Sequence, residues 1–169
     1  MSELRPGDWF AVYTDCFLER AIVEVETIQE GNKAEYAHAG WILDAQGTTL
    51  EALDRVSSQN VFSAYKGDEI IFVRWKKMTP EAFQKGYEAV KGEIGQLYPA
   101  YRLPMILIGV GGIKTGDHEV CSELDDKEEI AVGCHLGTGN KYDGITPQML
   151  VDEWKSNPDF EIVWEGILP

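Results

Sequence analysis

Apolar residues recur along the chain with two periods, and each period predicts a different element. Short runs rich in aromatic and β-branched residues read as strands: residues 8–14 (DWFAVYT), 35–43 (EYAHAGWIL), 48–56 (TTLEALDRV), 69–75 (EIIFVRW) and 160–167 (FEIVWEGI). The turn RPG leads into the first run, and DAQG between the second and third predicts a hairpin. Over residues 79–97 the spacing changes. Phe83, Tyr87, Val90, Ile94 and Leu97 fall at helical intervals, which puts one stripe of a helix on the core. Thr79 is a good N-cap, and Pro80 at the first helical position has a φ already suited to the helix. The same Thr-Pro start recurs at residues 146–154 (TPQMLVDEW) and predicts a second helix. Residues 16–28 (CFLERAIVEVETI) are compatible with a helix despite their β-branched content, and residues 137–144 with a loop. Strands and helices alternate without βαβ regularity. The expectation is a mixed, largely antiparallel α+β fold.

Composition narrows the function classes. The 169 residues contain no linker, repeat or low-complexity tract, so a single domain over 1–169 is expected. The net charge of −14 argues against a nucleic-acid partner, because neutralising phosphates needs clustered Lys and Arg. The same charge repels an anionic membrane surface and suits an acidic cell wall poorly. The longest apolar stretch, residues 104–113 (PMILIGVGGI), is short and broken by glycine, well below the ~20 residues of a membrane span. The opening MSELRPGDWF lacks the basic and apolar regions of a secretory signal. A cytoplasmic location is therefore expected, unless export uses another route such as a phage lysis system. Three cysteines, Cys16, Cys121 and Cys134, are an odd count without a signal, and free thiols in a reducing compartment follow.

The candidate chemistry centres on EVCSELDD, residues 119–126, where Cys121 opens a helical, acidic stretch. A cysteine is most often a small buried hydrophobe. A metal site would draw on His118, Cys121, Cys134 and His135, but the adjacent Cys134 and His135 would struggle to turn onto one ion. A nucleophile needs a thiolate, a base and a group that orients the base. A helix N-terminus favours a thiolate and offers backbone N–H groups to an oxyanion. Glu123, Asp125 and Asp126 oppose it, so an imidazolium partner would have to offset them. His118 is too close in sequence for comfort, and His135 sits in a glycine-rich loop. His38 lies in a strand among the small residues Ala37, Ala39 and Gly40. If the hairpin loop has an even number of residues, His38 and Glu51 share one face. With a four-residue loop Glu51 lies opposite Gly40 and diagonal to His38, within reach of a long side chain. A carboxylate beside an imidazole fixes its tautomer and supports its cation. An odd-numbered loop would put Glu51 on the other face. Cys16 also precedes a helical stretch, but no histidine-bearing motif frames it.

These residues carry a family resemblance. The stretches PGDWF (6–10), YAHAGWIL (36–43), TTLEAL (48–53), GQLYPAYR (95–102), VCSELD (120–125) and 144–166 are scattered over nearly the whole chain. In their order, the sequence resembles the circularly permuted papain-fold peptidases, the YiiX-like branch of the NlpC superfamily. The resemblance implies Cys121 as nucleophile, His38 as base and Glu51 as the residue orienting His38. It implies a permuted papain-like α+β fold, a small antiparallel sheet or barrel packed against helices. Two features depart from the family. Ala37 stands where Ser or Thr usually precedes the histidine, and DDKEE (125–129) stands where the family continues with an apolar helix. From this second departure we expect the cysteine helix to be short or exposed.

The function expected on this basis is a cysteine hydrolase acting on amide bonds in a peptide-like substrate, with peptidoglycan stem peptides or γ-glutamyl links as candidates. No cofactor and no metal are implied. One alternative is lipid ester or acyl transfer on an acyl small molecule, as in other members of the superfamily, with residues 104–112 as an apolar pocket. Another is a binding module that keeps the triad residues without useful reactivity. The five tryptophans read as core and rim, and nothing in the sequence bears on oligomeric state.

Overall fold

The computed structural model describes residues 3–13, 35–53, 55–96, 121–134 and 146–169. Within the helix that begins at Cys121, the described side chains are those of Leu124, Asp125 and residues 127–132. The expected helix over residues 16–28, the loop over 137–144 and the apolar stretch 104–113 lie outside these residues.

The described residues form an α+β arrangement around one six-stranded antiparallel sheet. Its strands are β1 (Trp9–Tyr13), β2 (His38–Ile42), β3 (Thr49–Ala52), β4 (Val56–Ser57), β5 (Glu69–Trp75) and β6 (Phe160–Ile167), in the order β4-β3-β2-β1-β5-β6. The helices are α1 (Val61–Ala64), α2 (Pro80–Val90), α3 (Cys121–Val132) and α4 (Pro147–Ser156). Among the described residues, no helix is long and apolar enough to cross a membrane.

Strand alternation sorts the side chains into two layers. Trp9, Ala11, Ala39, Trp41, Ile71 and Val73 point to one face, where they pack with Val132, Cys134, Leu150, Val151 and Trp154 of the helical side. Leu50 and Ala52 continue that face and meet Leu124 and Val90. Phe10, Val12, Ile42, Ile70 and Phe72 point to the other face, against Val61, Tyr65 and Leu168. Both faces are covered, so β1 and β2 read as buried runs rather than alternating ones. Trp9, Trp41 and Trp154 are core, while Trp75 and Trp164 pack at its margin.

The hairpin loop is the four-residue one. Leu43 N–H donates to Thr48 O at 2.7 Å, closing residues 44–47. Asp44 Oδ1 accepts from the N–H groups of Gln46 and Thr48, and Gly47 takes the left-handed conformation, φ +81°. The register that follows pairs Trp41 with Leu50 and Ile42 with Thr49.

Two boundaries differ from the sequence reading. Residues 48–56 are not one strand: β4 folds back on β3, pairing Glu51 with Ser57 and Ala52 with Val56. Period-two patterning marks faces and not chain direction, so a tight reversal leaves the pattern intact. The helix from Thr79 ends at Val90, followed by a 3-10 turn over Lys91–Glu93. Gly92 and Gly95 weaken a helix by about 1 kcal/mol each. Gly95 adopts φ +88°, and the chain bonds Val56 on both sides, Gly95 N–H to Val56 O and Val56 N–H to Gln96 O. Ile94, expected on the buried stripe, is 47% exposed.

One glycine governs the approach of β3 to β2. A Cβ at Gly40 would lie 2.8 Å from the Phe10 ring and 3.0 Å from Glu51 Cβ. The absent side chain admits both residues to one spot. Gly40→Ala is expected to destabilise the protein by about 1–3 kcal/mol by overpacking, read as a lower urea midpoint with an unchanged slope. Wild-type stability would show that the ring and carboxylate yield without cost.

Candidate functional site

His38 opens β2, and Glu51 sits in β3 on the same face of the sheet. His38 Nε2 lies 2.7 Å from Glu51 Oε2. The hairpin register makes this pair: Glu51 is opposite Gly40 and diagonal to His38, and its side chain spans the gap. The β2–β3 ladder consists of Trp41↔Leu50 and Ile42↔Thr49 and does not continue to Gly40 and Glu51. The link between the strands at this level is therefore made by side chains.

The pair is deeply enclosed. His38 is 5% exposed and Glu51 0%. The small residues around His38 do leave room for a ring, and neighbours fill it: Phe10 meets the imidazole edge-on at 6.2 Å and Tyr65 lies against it at 6.0 Å. Glu51 has three partners. His38 Nε2 and the Tyr65 hydroxyl both reach Oε2, and the Thr49 hydroxyl reaches Oε1. An ionised carboxylate only accepts, so all three act as donors. The imidazole therefore carries a hydrogen on Nε2. Burial by itself pushes the Glu51 carboxyl up. The hydrogen bond and charge of His38, with the Thr49 and Tyr65 hydroxyls, outweigh it and hold the group below its ordinary value.

Thr49 and Tyr65 are hydrogen-bond partners of Glu51 that sequence reasoning missed. Thr49 was legible, since it precedes Glu51 by two and shares its face of the strand. Tyr65 was not, because it follows the four-residue α1, which has no periodic signature of its own.

Cys121 is the first residue of α3, a helix of 12 residues. The expectation of a short or exposed helix is corrected: Leu124, Asp125 and Glu128 are 0% exposed and Glu129 1%. Among the described side chains, Asp125 and Glu128 face inward with Leu124 and Val132 on one helical stripe. Trp154 Nε1–H donates to Glu129 Oε1 at 2.6 Å, and Lys127 bridges to Glu93 at 2.7 Å. The helix packs on the face carrying Leu50, Ala52 and Trp41, whereas His38 and Glu51 project from the opposite face.

Cys134 is a structural thiol. It is buried, its Sγ donates to Glu129 O at 3.6 Å, and burial with the nearby Glu129 carboxylate pushes the thiol far above its ordinary value. Among the described residues, no group of three His, Cys, Asp or Glu side chains could hold a metal ion. The other members of the metal set considered above, His118, His135 and the side chain of Cys121, lie outside the described residues. The direct hydrogen bond between His38 and Glu51 leaves no space for an ion between them.

No family model matches the chain, and no curated protein matches it. Among solved structures the fold is similar to that of the metalloprotein yiiX from Escherichia coli O157:H7. The TM-score is 0.60 at 16% identity, over 98% of this chain and 89% of that one. At that identity the likeness is one of fold. The α+β sheet-and-helix arrangement is thus a YiiX-like fold.

The lowered Glu51 carboxyl links this site to stability. A carboxyl whose folded value lies below its ordinary value of 4.5 adds stability above that pH and loses it as pH falls through the folded value. Glu51→Gln is expected to be less stable than wild type by about 2 kcal/mol near neutral pH, from lost charge-assisted hydrogen bonds. The gap should narrow as pH falls below 4.5. Denaturant melts across acidic pH would read this directly, and a gap that stays constant would show that Glu51 does not titrate with folding.

Proposed function

We propose that this chain is a cysteine hydrolase of the permuted papain-like kind, acting on amide bonds through Cys121, His38 and Glu51. The observation that carries the reading is the buried His38–Glu51 pair, with Nε2–H committed to the carboxylate. That arrangement equips an imidazole to exchange a proton at Nδ1 and to bear a positive charge while doing so. Cys121 at the start of a 12-residue helix adds a thiol in the field of a helix N-terminus. The YiiX-like fold and the order His, Glu, Cys along the chain agree with this reading.

The chemistry runs in two halves. Cys121 Sγ attacks the amide carbonyl carbon while its proton passes to His38 Nδ1. Backbone N–H groups at the start of α3 face the oxyanion. The imidazolium, stabilised by Glu51, then protonates the amine, which leaves as the C–N bond breaks and a thioester forms. Water, deprotonated by His38, attacks the thioester and releases the carboxylic acid and the thiol. Because His38 and Glu51 project from the face opposite α3, the thiol must approach the imidazole at the strand end, where His38 is the first residue of β2 and the β2–β3 ladder has stopped.

Alkylation by iodoacetamide, with the modified cysteine located by mass spectrometry, tests the reading. Cys121 is expected to label fast well below the ordinary thiol value of about 8.5. A free thiol near pH 7 is only a few per cent thiolate, so His38→Ala should slow Cys121 labelling by roughly tenfold or more. Slow labelling, equal at all three cysteines and indifferent to His38, would contradict a nucleophilic Cys121.

A further inference from the structure

The groups that enclose Glu51 form a directed chain. Tyr65 is 8% exposed, and its hydroxyl donates to Glu51 Oε2, the oxygen that His38 Nε2 also engages. Its ring packs against both His38 and Phe10, at 6.0 and 5.7 Å. Behind it, Gln59 Nε2 donates to the Tyr65 oxygen at 3.2 Å. An amide nitrogen is only a donor, so the Tyr65 oxygen accepts there and its single hydrogen is left for Glu51. The main chain of Gln59 also braces the second hydroxyl. Thr49 N–H donates to Gln59 O at 2.9 Å, and Gln59 N–H donates to Thr49 Oγ1 at 3.3 Å. Gln59 O also lies 3.2 Å from Thr49 Oγ1 as a second acceptor for that hydroxyl, so Gln59 touches both hydroxyls that reach the carboxylate but fixes the direction of Tyr65's alone.

We propose that Tyr65 and Gln59 are positioning residues for the base. Gln59 aims the Tyr65 hydroxyl, and that hydroxyl keeps Glu51 ionised with Oε2 aligned on His38 Nε2. This assignment rests on the reading of His38 as the base, but it is tested without turnover. Among the described residues, the ionisable side chains bonded to Glu51 are His38 from β2 and Tyr65 after α1. The buried carboxylates Asp125, Glu128 and Glu129 belong to the helix on the opposite face of the sheet.

The readout is the titration of the Glu51 carboxyl carbon by NMR in protein labelled at glutamate, assigned by its loss in Glu51→Gln. Tyr65→Phe keeps the ring that packs on His38 and removes only the donor. Its Glu51 midpoint should rise by about one pH unit, the scale of one hydrogen bond to a charged group. Gln59→Leu should move the midpoint the same way by less, since it weakens the hydroxyl without removing it. A residue that serves packing alone would leave the midpoint where it is. An unmoved midpoint in a folded Tyr65→Phe protein overturns the assignment. Should Tyr65→Phe not fold, Gln59→Leu decides: a rise supports the assignment and an unmoved midpoint overturns it. The two readings fail separately. A wild-type Cys121 that alkylates slowly would remove the hydrolase reading and leave these shifts in place, whereas an unmoved midpoint beside a fast-labelling thiol would remove only the positioning role.

Discussion

A carboxylate without solvent contact is the constraint around which this site is built. Glu51 is 0% exposed, and a buried charge costs several kcal/mol unless it is paired and hydrogen-bonded. The fold meets that demand from three directions: His38 across the hairpin, Thr49 two residues back on the same strand, and Tyr65 from the end of α1. Each donor depends on a different local structure. The four-residue loop sets the diagonal, the pleat sets the shared face, and the short helix brings in the phenol. Gly40 lets the strands and the Phe10 ring come close enough for all of this to fit.

The two faces of the sheet divide the work. The face with Trp9, Trp41 and Leu50 is packed by α2, α3 and α4 and makes the main apolar core. The face with Phe10 and Phe72 carries the polar pair within a second apolar cluster. An imidazole and a carboxylate set among aromatic rings see weak screening, so their mutual interaction is stronger than it would be in water. One inward acidic residue of α3 is met in the same way on the other face. Glu129 is held by the indole N–H of Trp154, which places a carboxylate in the core beside Cys134.

How much was legible in the sequence depended on how far each interaction reached. The strands at 69–75 and 160–167 and the Thr-capped helix starts were readable because local propensity and packing agree there. The His38–Glu51 pair was readable because hairpin register turns spacing into geometry. The end of α2 was missed because a stripe of apolar residues continues past Val90, while glycines and the bonds to Val56 stop the helix. The buried acids of α3 were missed because charge predicts exposure, and for Glu129 a tertiary partner, Trp154, reverses it. Tyr65 and Gln59 were invisible for a related reason: both act through hydrogen bonds to a residue in another element.

In the function proposed above, the His38–Glu51 pair serves a reactive thiol at Cys121. The most direct test is to titrate thiolate by its ultraviolet absorbance in wild type and to subtract the same titration of Cys121→Ser. The account predicts a difference curve with thiolate already present well below pH 8.5, the approximate value for a free thiol, and its displacement to higher pH in Glu51→Gln. A difference curve that rises only at or above that value, unchanged by Glu51→Gln, would contradict it.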